Sequence, residues 1–210
     1  MANEFKNIIV ERVEGIARII LNRPPLNILN IEMMKEINSA LNSFHEDSNL
    51  KAVIISAYGK AFSAGVAIEE HTPEKVNEMI NVFHEMFEIL KSIEAPTIAL
   101  VNGTALGGGC ELALFCDLVV ASEKAKFGQP EIKVGVFPPI AAIILPKMIG
   151  MKKALELVLT GETITANEAK EIGLVNIVLP AENFDANASE FIKKLTSNSA
   201  VVLHLAKRSI

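Results

Sequence analysis

The sequence predicts an α/β fold in which helices cover sheets. Three observations carry that expectation. Short Val- and Ile-rich runs alternate throughout with longer segments whose apolar residues recur at helical spacing. Half of the 210 residues are hydrophobic and 21% are charged, enough for one large core. No linker, low-complexity tract or charge run divides the chain.

The elements follow in order. Ile8–Val10 and Ile16–Leu21 read as a hairpin around Glu14-Gly15, broken by Asn22-Arg23-Pro24-Pro25. Asn30 is placed to cap a helix marked by Met33, Met34, Ile37, Leu41 and Phe44. Residues 51–57 form a short buried strand and 58–71 a loop. Thr72-Pro73 predicts a helix start, with Val76, Met79, Ile80, Phe83, Phe87, Leu90 and Ile93 along its apolar face. A strand over 97–101, a turn at Asn102-Gly103 and a glycine-led helix from Cys110 to Phe115 come next. A strand over 118–121 precedes an irregular stretch, 123–139. Helices over 139–149 and 151–159 flank Gly150. Thr165 and Glu168 make a capping box for a short helix ended by Gly173. A strand over 174–179 and helices over 184–196 and 198–210 complete the reading.

Composition excludes several classes of function. The net charge is -5, so a broad nucleic-acid or anionic-membrane footprint is not expected. No apolar run suits a transmembrane helix, and the opening Met-Ala-Asn-Glu-Phe-Lys lacks a signal peptide's apolar segment. The expectation is a soluble, cytoplasmic protein. Cys110 and Cys116, the two cysteines, read as buried thiols.

Some motifs fail on inspection. Gly107-Gly108-Gly109 has no glycine at 112, so it is not a dinucleotide fingerprint. Gly109 stands where a phosphate loop needs lysine. His84-Glu85-Met86-Phe87-Glu88 ends in Glu rather than the His of a zinc helix, and no metal site is expected. Ser63 is not in a nucleophile elbow. His45, His71 and His204 are isolated and read as surface residues.

Two segments remain. In Lys60-Ala61-Phe62-Ser63-Ala64-Gly65-Val66, a small-residue loop lets a ligand approach the backbone and leaves the Val66 NH free to point outward. In Ala105 to Leu112, three glycines strip side chains from a helix N-terminus and open its NH groups to an anion. Two NH groups from different loops can form an oxyanion hole for a thioester carbonyl. Glu111 and Glu131 both stand in apolar, Gly/Pro-rich contexts. Facing one pocket, they would shift each other's pKa and share a proton, which suits adding water to a C=C bond. The plainer alternative has Glu111 stabilising a helix N-terminus and Glu131 on a solvated loop; spacing alone does not bring them together.

The stretches Val101–Ala113, Ala61–Gly65, Phe127–Ile132 and Leu159–Glu162 together resemble the signature of the crotonase, or enoyl-CoA hydratase/isomerase, superfamily. The resemblance runs in order over nearly the whole chain. It implies a spiral of ββα units over 1–183, with 184–210 as the start of a C-terminal helical region that is short or truncated beside the family's. It implies trimers, often paired into hexamers. It places the oxyanion NH groups at Val66 and Gly108 and the acid–base pair at Glu111 and Glu131. It lays coenzyme A, as part of the substrate rather than a separate cofactor, along Pro25-Leu26 and along Ala64, Ala67 and Ile68. Family members lacking one or both glutamates are often isomerases or hydrolases; this chain has both, which favours hydration.

Two departures bear on the site. Ala67 stands where relatives commonly have Asp. Phe137-Pro138-Pro139-Ile140-Ala141-Ala142 replaces a Pro-Gly-x-Gly-Gly pattern, which puts Phe137 at the acyl pocket. With 71–76, 131–139 and 161–166, this segment most resembles cyclohexa-1,5-diene-carbonyl-CoA hydratases of anaerobic aromatic breakdown. The alternatives are an enoyl-CoA isomerase and a non-catalytic RNA-binding or scaffold member of the fold. For the last, residues 72–94 carry Lys75 and Lys91 against five glutamates.

Overall fold

The computed structural model describes residues 5–45 and 47–210; the opening residues read above for a leader segment fall partly outside that range. Its elements are β1 (Ile8–Val13), β2 (Ile16–Leu21), α1 (Ile31–Asn42), β3 (Ala52–Ala57), β4 (Ala61–Ser63), α2 (Val76–Ser92), β5 (Thr97–Val101), β6 (Thr104–Leu106), α3 (Gly108–Phe115), β7 (Leu118–Ser122), β8 (Lys126–Gly128), α4 (Ala141–Ile149), α5 (Met151–Thr160), β9 (Thr163–Thr165), α6 (Ala166–Glu171), β10 (Ile177–Leu179), α7 (Phe184–Thr196) and α8 (Ala200–Ser209). Short 3-10 turns cover Ile68–Glu70 and Pro130–Val134.

The large sheet has the order β1-β2-β3-β5-β7-β10. Only the β1–β2 hairpin in it is antiparallel, turning at Glu14 and Gly15, both with positive φ. The others pair in parallel, because helices carry the chain back between them. Being covered on both faces, β3 and β5 are continuous apolar runs rather than alternating ones. One face packs on α1 and α2 through Met33, Ile37, Phe83 and Met86. On the other face Ile54, Ile98 and Val120 meet Phe184, Ala188 and Ile192 of α7. A second sheet, β4-β6-β8-β9, stands apart from the first.

Several sequence expectations need correction. Residues 58–71 and 123–139 are not plain loops, since β4 and β8 lie within them, and a strand not expected from the sequence, β6, follows the turn at Asn102-Gly103. Residues 163–165 are likewise a strand, β9, and the last strand of the large sheet narrows to Ile177–Leu179. The helix expected from Thr72-Pro73 begins at Val76; the residues before it make a single turn in which the NH groups of Lys75 and Val76 share the Thr72 carbonyl. The glycine-led helix starts at Gly108, not Cys110. Ile80 is exposed, whereas Val82, Met86 and Ile89 join the buried face. His204 is buried, its Nε2 2.6 Å from the Leu50 carbonyl, and fastens α8 to the body. Both cysteines are free and buried. Among the described residues no helix is long and apolar enough to cross a membrane.

Candidate active site

Three neighbouring parallel strands of the small sheet each release the chain into a site segment. β4 leads to Ala64-Gly65-Val66, β6 to Gly107-Gly108, and β8 to Gln129-Pro130-Glu131. Pairing of Ser63 with Ala105 and of Leu106 with Gly128 sets the three carboxyl ends level. Parallel strands lie about 4.8 Å apart, so residues just beyond their ends converge on one spot.

Val66 makes an isolated parallel bridge with Leu29. The Leu29 NH donates to the Gly65 carbonyl at 2.9 Å, and the Ala67 NH to the Leu29 carbonyl at 3.0 Å. In this pattern the residues flanking Val66 face Leu29, and the NH of Val66 itself faces away. Gly108 opens α3, so its NH has no intrahelical acceptor and sits at the positive end of the helix dipole. Its neighbour is spent: the Gly107 NH donates to the Gly128 carbonyl at 3.0 Å. A Cβ built on Gly108 would lie 2.7 Å from Val66 Cγ2 and 3.1 Å from the Phe83 ring. The two NH-bearing residues are therefore neighbours.

Glu111, on the first turn of α3, is 1% exposed. Its Oε1 accepts the Ile140 and Ala141 NH groups, both at 2.8 Å. It thus caps α4, a helix it does not belong to. Pro138 and Pro139 have no NH, so Ile140 offers the first donor of that turn. Burial raises the Glu111 carboxyl to about 7; the two NH bonds oppose the rise and the charge of Glu131 adds to it.

Glu131 reaches the same spot from β8. A Cβ on Gly107, whose φ is 51°, would stand 2.6 Å from Glu131 Oε1. Only glycine leaves room for that carboxyl. Burial raises its pKa as well, opposed by a bond from its own backbone NH. Glu131 Oε2 is buried and accepts no hydrogen bond from a described residue. The two glutamates left unconnected by sequence spacing thus flank one glycine pair. Of the plainer readings, that of Glu111 at a helix end is right in part: it serves the start of α4 while facing Glu131.

The segments expected to hold coenzyme A are also brought together, by the Ala64 NH donating to the Leu26 carbonyl at 2.9 Å. Pro25, Leu26 and Ile68 are exposed there, and Ala64 is half-buried. Ala67 is buried, and its carbonyl accepts the Glu70 NH, so it offers no side-chain surface to a ligand. Phe137 is exposed, three residues before Ile140, whose NH donates to Glu111. Sequence reasoning missed Asn27, a fully buried residue inside the Pro-rich break. It took Phe83 for core alone, whereas that ring also floors Gly108. An asparagine embedded in an otherwise apolar Pro25–Leu29 stretch was the available signal for the first.

Residues 11–210 match the family model described as enoyl-CoA hydratase/isomerase. A relative from Dictyostelium discoideum named probable enoyl-CoA hydratase, mitochondrial, is 42% identical over 99% of this chain and 76% of its own length. The short-chain-enoyl-CoA hydratase of Clostridium acetobutylicum is 38% identical over 99% of this chain and 82% of its own. The crystal structure of an enoyl-CoA hydratase from Bacillus anthracis superposes with a TM-score of 0.92 at 35% identity, covering 97% of this chain and 81% of that one.

Proposed function

This chain belongs to the enoyl-CoA hydratase/isomerase family, and from that premise we propose that it is an enoyl-CoA hydratase, a hydro-lyase acting on an acyl-CoA thioester. The observation that carries the reading is the placement of two glutamates, Glu111 and Glu131, both raised in pKa, around one pair of free NH groups.

The chemistry follows from that placement. The thioester carbonyl oxygen accepts the NH groups of Val66 and Gly108. One glutamate, as carboxylate, takes a proton from water while the water oxygen bonds to Cβ. The C=C electron pair moves toward the carbonyl, giving an enolate whose oxygen the two NH groups stabilise. The other glutamate, as carboxylic acid, delivers its proton to Cα. With Glu111, raised to about 7, able to hold the proton and Glu131 ionised, or the reverse, the pair supplies the acid and the base together.

Turnover in heavy-oxygen water tests the reading. Label in the 3-hydroxyacyl product is expected; a shifted double bond without label means isomerisation instead. Glu111→Gln and Glu131→Gln are each expected to lower kcat about 100-fold or more with little change in CoA-ester affinity.

The acyl group is proposed to be a cyclic dienoyl one. Its support is the stiff Phe137-Pro138-Pro139 entry to α4, coupled to Glu111 through the Ile140 NH. A panel of straight-chain, aromatic and cyclic-diene CoA esters decides it. A trimer is proposed on the exposed apolar side chains Val134, Ile143, Met151, Leu155 and Leu159 along α4, α5 and the turn before them. Sedimentation of the purified chain tests that.

A further inference from the structure

The segments 21–29 and 58–67 run side by side and end at Val66. Four backbone bonds hold them: Tyr58 NH to Leu21 carbonyl at 2.8 Å, Ala64 NH to Leu26 carbonyl at 2.9 Å, Leu29 NH to Gly65 carbonyl at 2.9 Å, and Ala67 NH to Leu29 carbonyl at 3.0 Å. Between Tyr58 and Ala61 the hold passes to one side chain. Asn27 Nδ2 donates to the carbonyls of Tyr58 and Ala61, both at 2.9 Å. Its Oδ1 accepts the Arg23 NH at 2.8 Å.

The position suits asparagine for two independent reasons. Its φ is 50°, in the left-handed region that Asn enters more readily than most residues. Its site is fully buried and presents two carbonyls and one NH, which an amide satisfies and a carboxylate cannot. The bonds also join both sides of the oxyanion segment. Ala61 opens β4, which runs into Val66, and Leu29, two residues after Asn27, is the bridge partner of Val66.

Resting on the reading of Val66 as an oxyanion donor, we propose that Asn27 is a positioning residue that aims the Val66 NH. It touches no reacting atom. It sets the separation and register of the two segments from which the Val66 peptide is suspended. An error of about 1 Å in such a donor can cost about 100-fold in rate.

The test uses dimethylaminocinnamoyl-CoA, an unsaturated thioester whose absorption moves to the red when its carbonyl oxygen is polarised. Asn27→Gly keeps the backbone conformation and removes the side chain. Asn27→Asp keeps shape and acceptor and removes the donor. Both are expected to bind the probe with a smaller red shift than the unaltered protein. Both should lose about 10- to 100-fold in kcat, with KM changed less than about threefold. The pH dependence of kcat/KM should stay in place, because Glu111 and Glu131 are untouched. Asn102→Ala is the control: it frees the Ala57 and Gly59 carbonyls of the same loop but leaves Ala61 tied, and should keep the full red shift. A folded Asn27 variant with unaltered red shift and kcat overturns the proposal, as does an equal loss in Asn102→Ala. If both Asn27 variants fail to fold, Asn27→Ser is read in the same way: a reduced red shift sustains the proposal and an unaltered one overturns it. Absence of any red shift in the unaltered protein overturns the oxyanion reading itself, and the role of Asn27 with it.

Discussion

Val66 Cγ2 stands 2.7 Å from the point where a side chain on Gly108 would begin. The Phe83 ring closes the same point from below at 3.1 Å. Gly108→Ala must therefore push Val66 or the first turn of α3 aside. The expected loss is about 100-fold in kcat, the size seen when one oxyanion donor is removed. Overpacking should cost about 1–3 kcal/mol by chemical denaturation. Unchanged turnover would show that the Val66 and Gly108 NH groups do not act together.

Glu111→Gln, expected to lower kcat about 100-fold or more, should also make the protein more stable above neutral pH. The folded carboxyl titrates near 7, above its ordinary value of 4.5, so between those values the folded state holds more protons than the unfolded one. Stability contributed by this group is full below about pH 4.5 and is lost as pH rises to 7. That interval amounts to roughly 3 kcal/mol. Glutamine keeps an oxygen for the Ile140 and Ala141 NH groups without the charge. Thermal melts of both proteins at pH 5 and pH 8 check this: the variant's advantage should appear at pH 8 and shrink at pH 5.

The rate should fall on the alkaline side as the shared proton leaves, with an apparent pKa near that of Glu111, about 7. The charge of Glu131 is one of the causes that raise Glu111. Glu131→Gln should therefore shift the Glu111 titration to lower pH. Carbon-13 NMR of labelled glutamate reads it directly, and a shift to higher pH would contradict the arrangement.

Both thiols should be inert in the folded protein. Burial pushes Cys116 up to about 12 and Cys110 higher still, so neither forms the nucleophilic thiolate at pH 8. Iodoacetamide is expected to label neither until the chain is unfolded, after which mass spectrometry should find two adducts.

The parts of the fold legible in the sequence are those with a local cause. Asn30 caps α1 by accepting the Met33 NH, and Thr165 with Glu168 closes its capping box. Glu14-Gly15 turns the hairpin: Gly15 takes positive φ at no steric cost, and the two-residue turn holds Glu14 there with it. The strands of the small sheet, three residues each, were not legible, since that length is too short to show a period of two. Only pairing with neighbours makes them strands. The same cause hid the meeting of Glu111 with Glu131: each was identifiable by its apolar setting, but their approach depends on β6 lying beside β8. Thr72-Pro73 placed the start early because Pro suits the first turn of a helix and equally the single turn that precedes α2 here.

The levelled ends of β4, β6 and β8 carry a consequence for change over time and in the laboratory. Each strand holds its own station, so a side chain at one can be exchanged while the other two keep their places. Glu111 and Glu131 should therefore be replaceable one at a time without displacing Val66 or Gly108. Changes of length are another matter. One residue inserted into any of the three strands reverses which way its remaining side chains face and slides its end out of line. The scaffold is therefore permissive to substitution and intolerant of insertion or deletion, and diversity should be sought in the first kind of change.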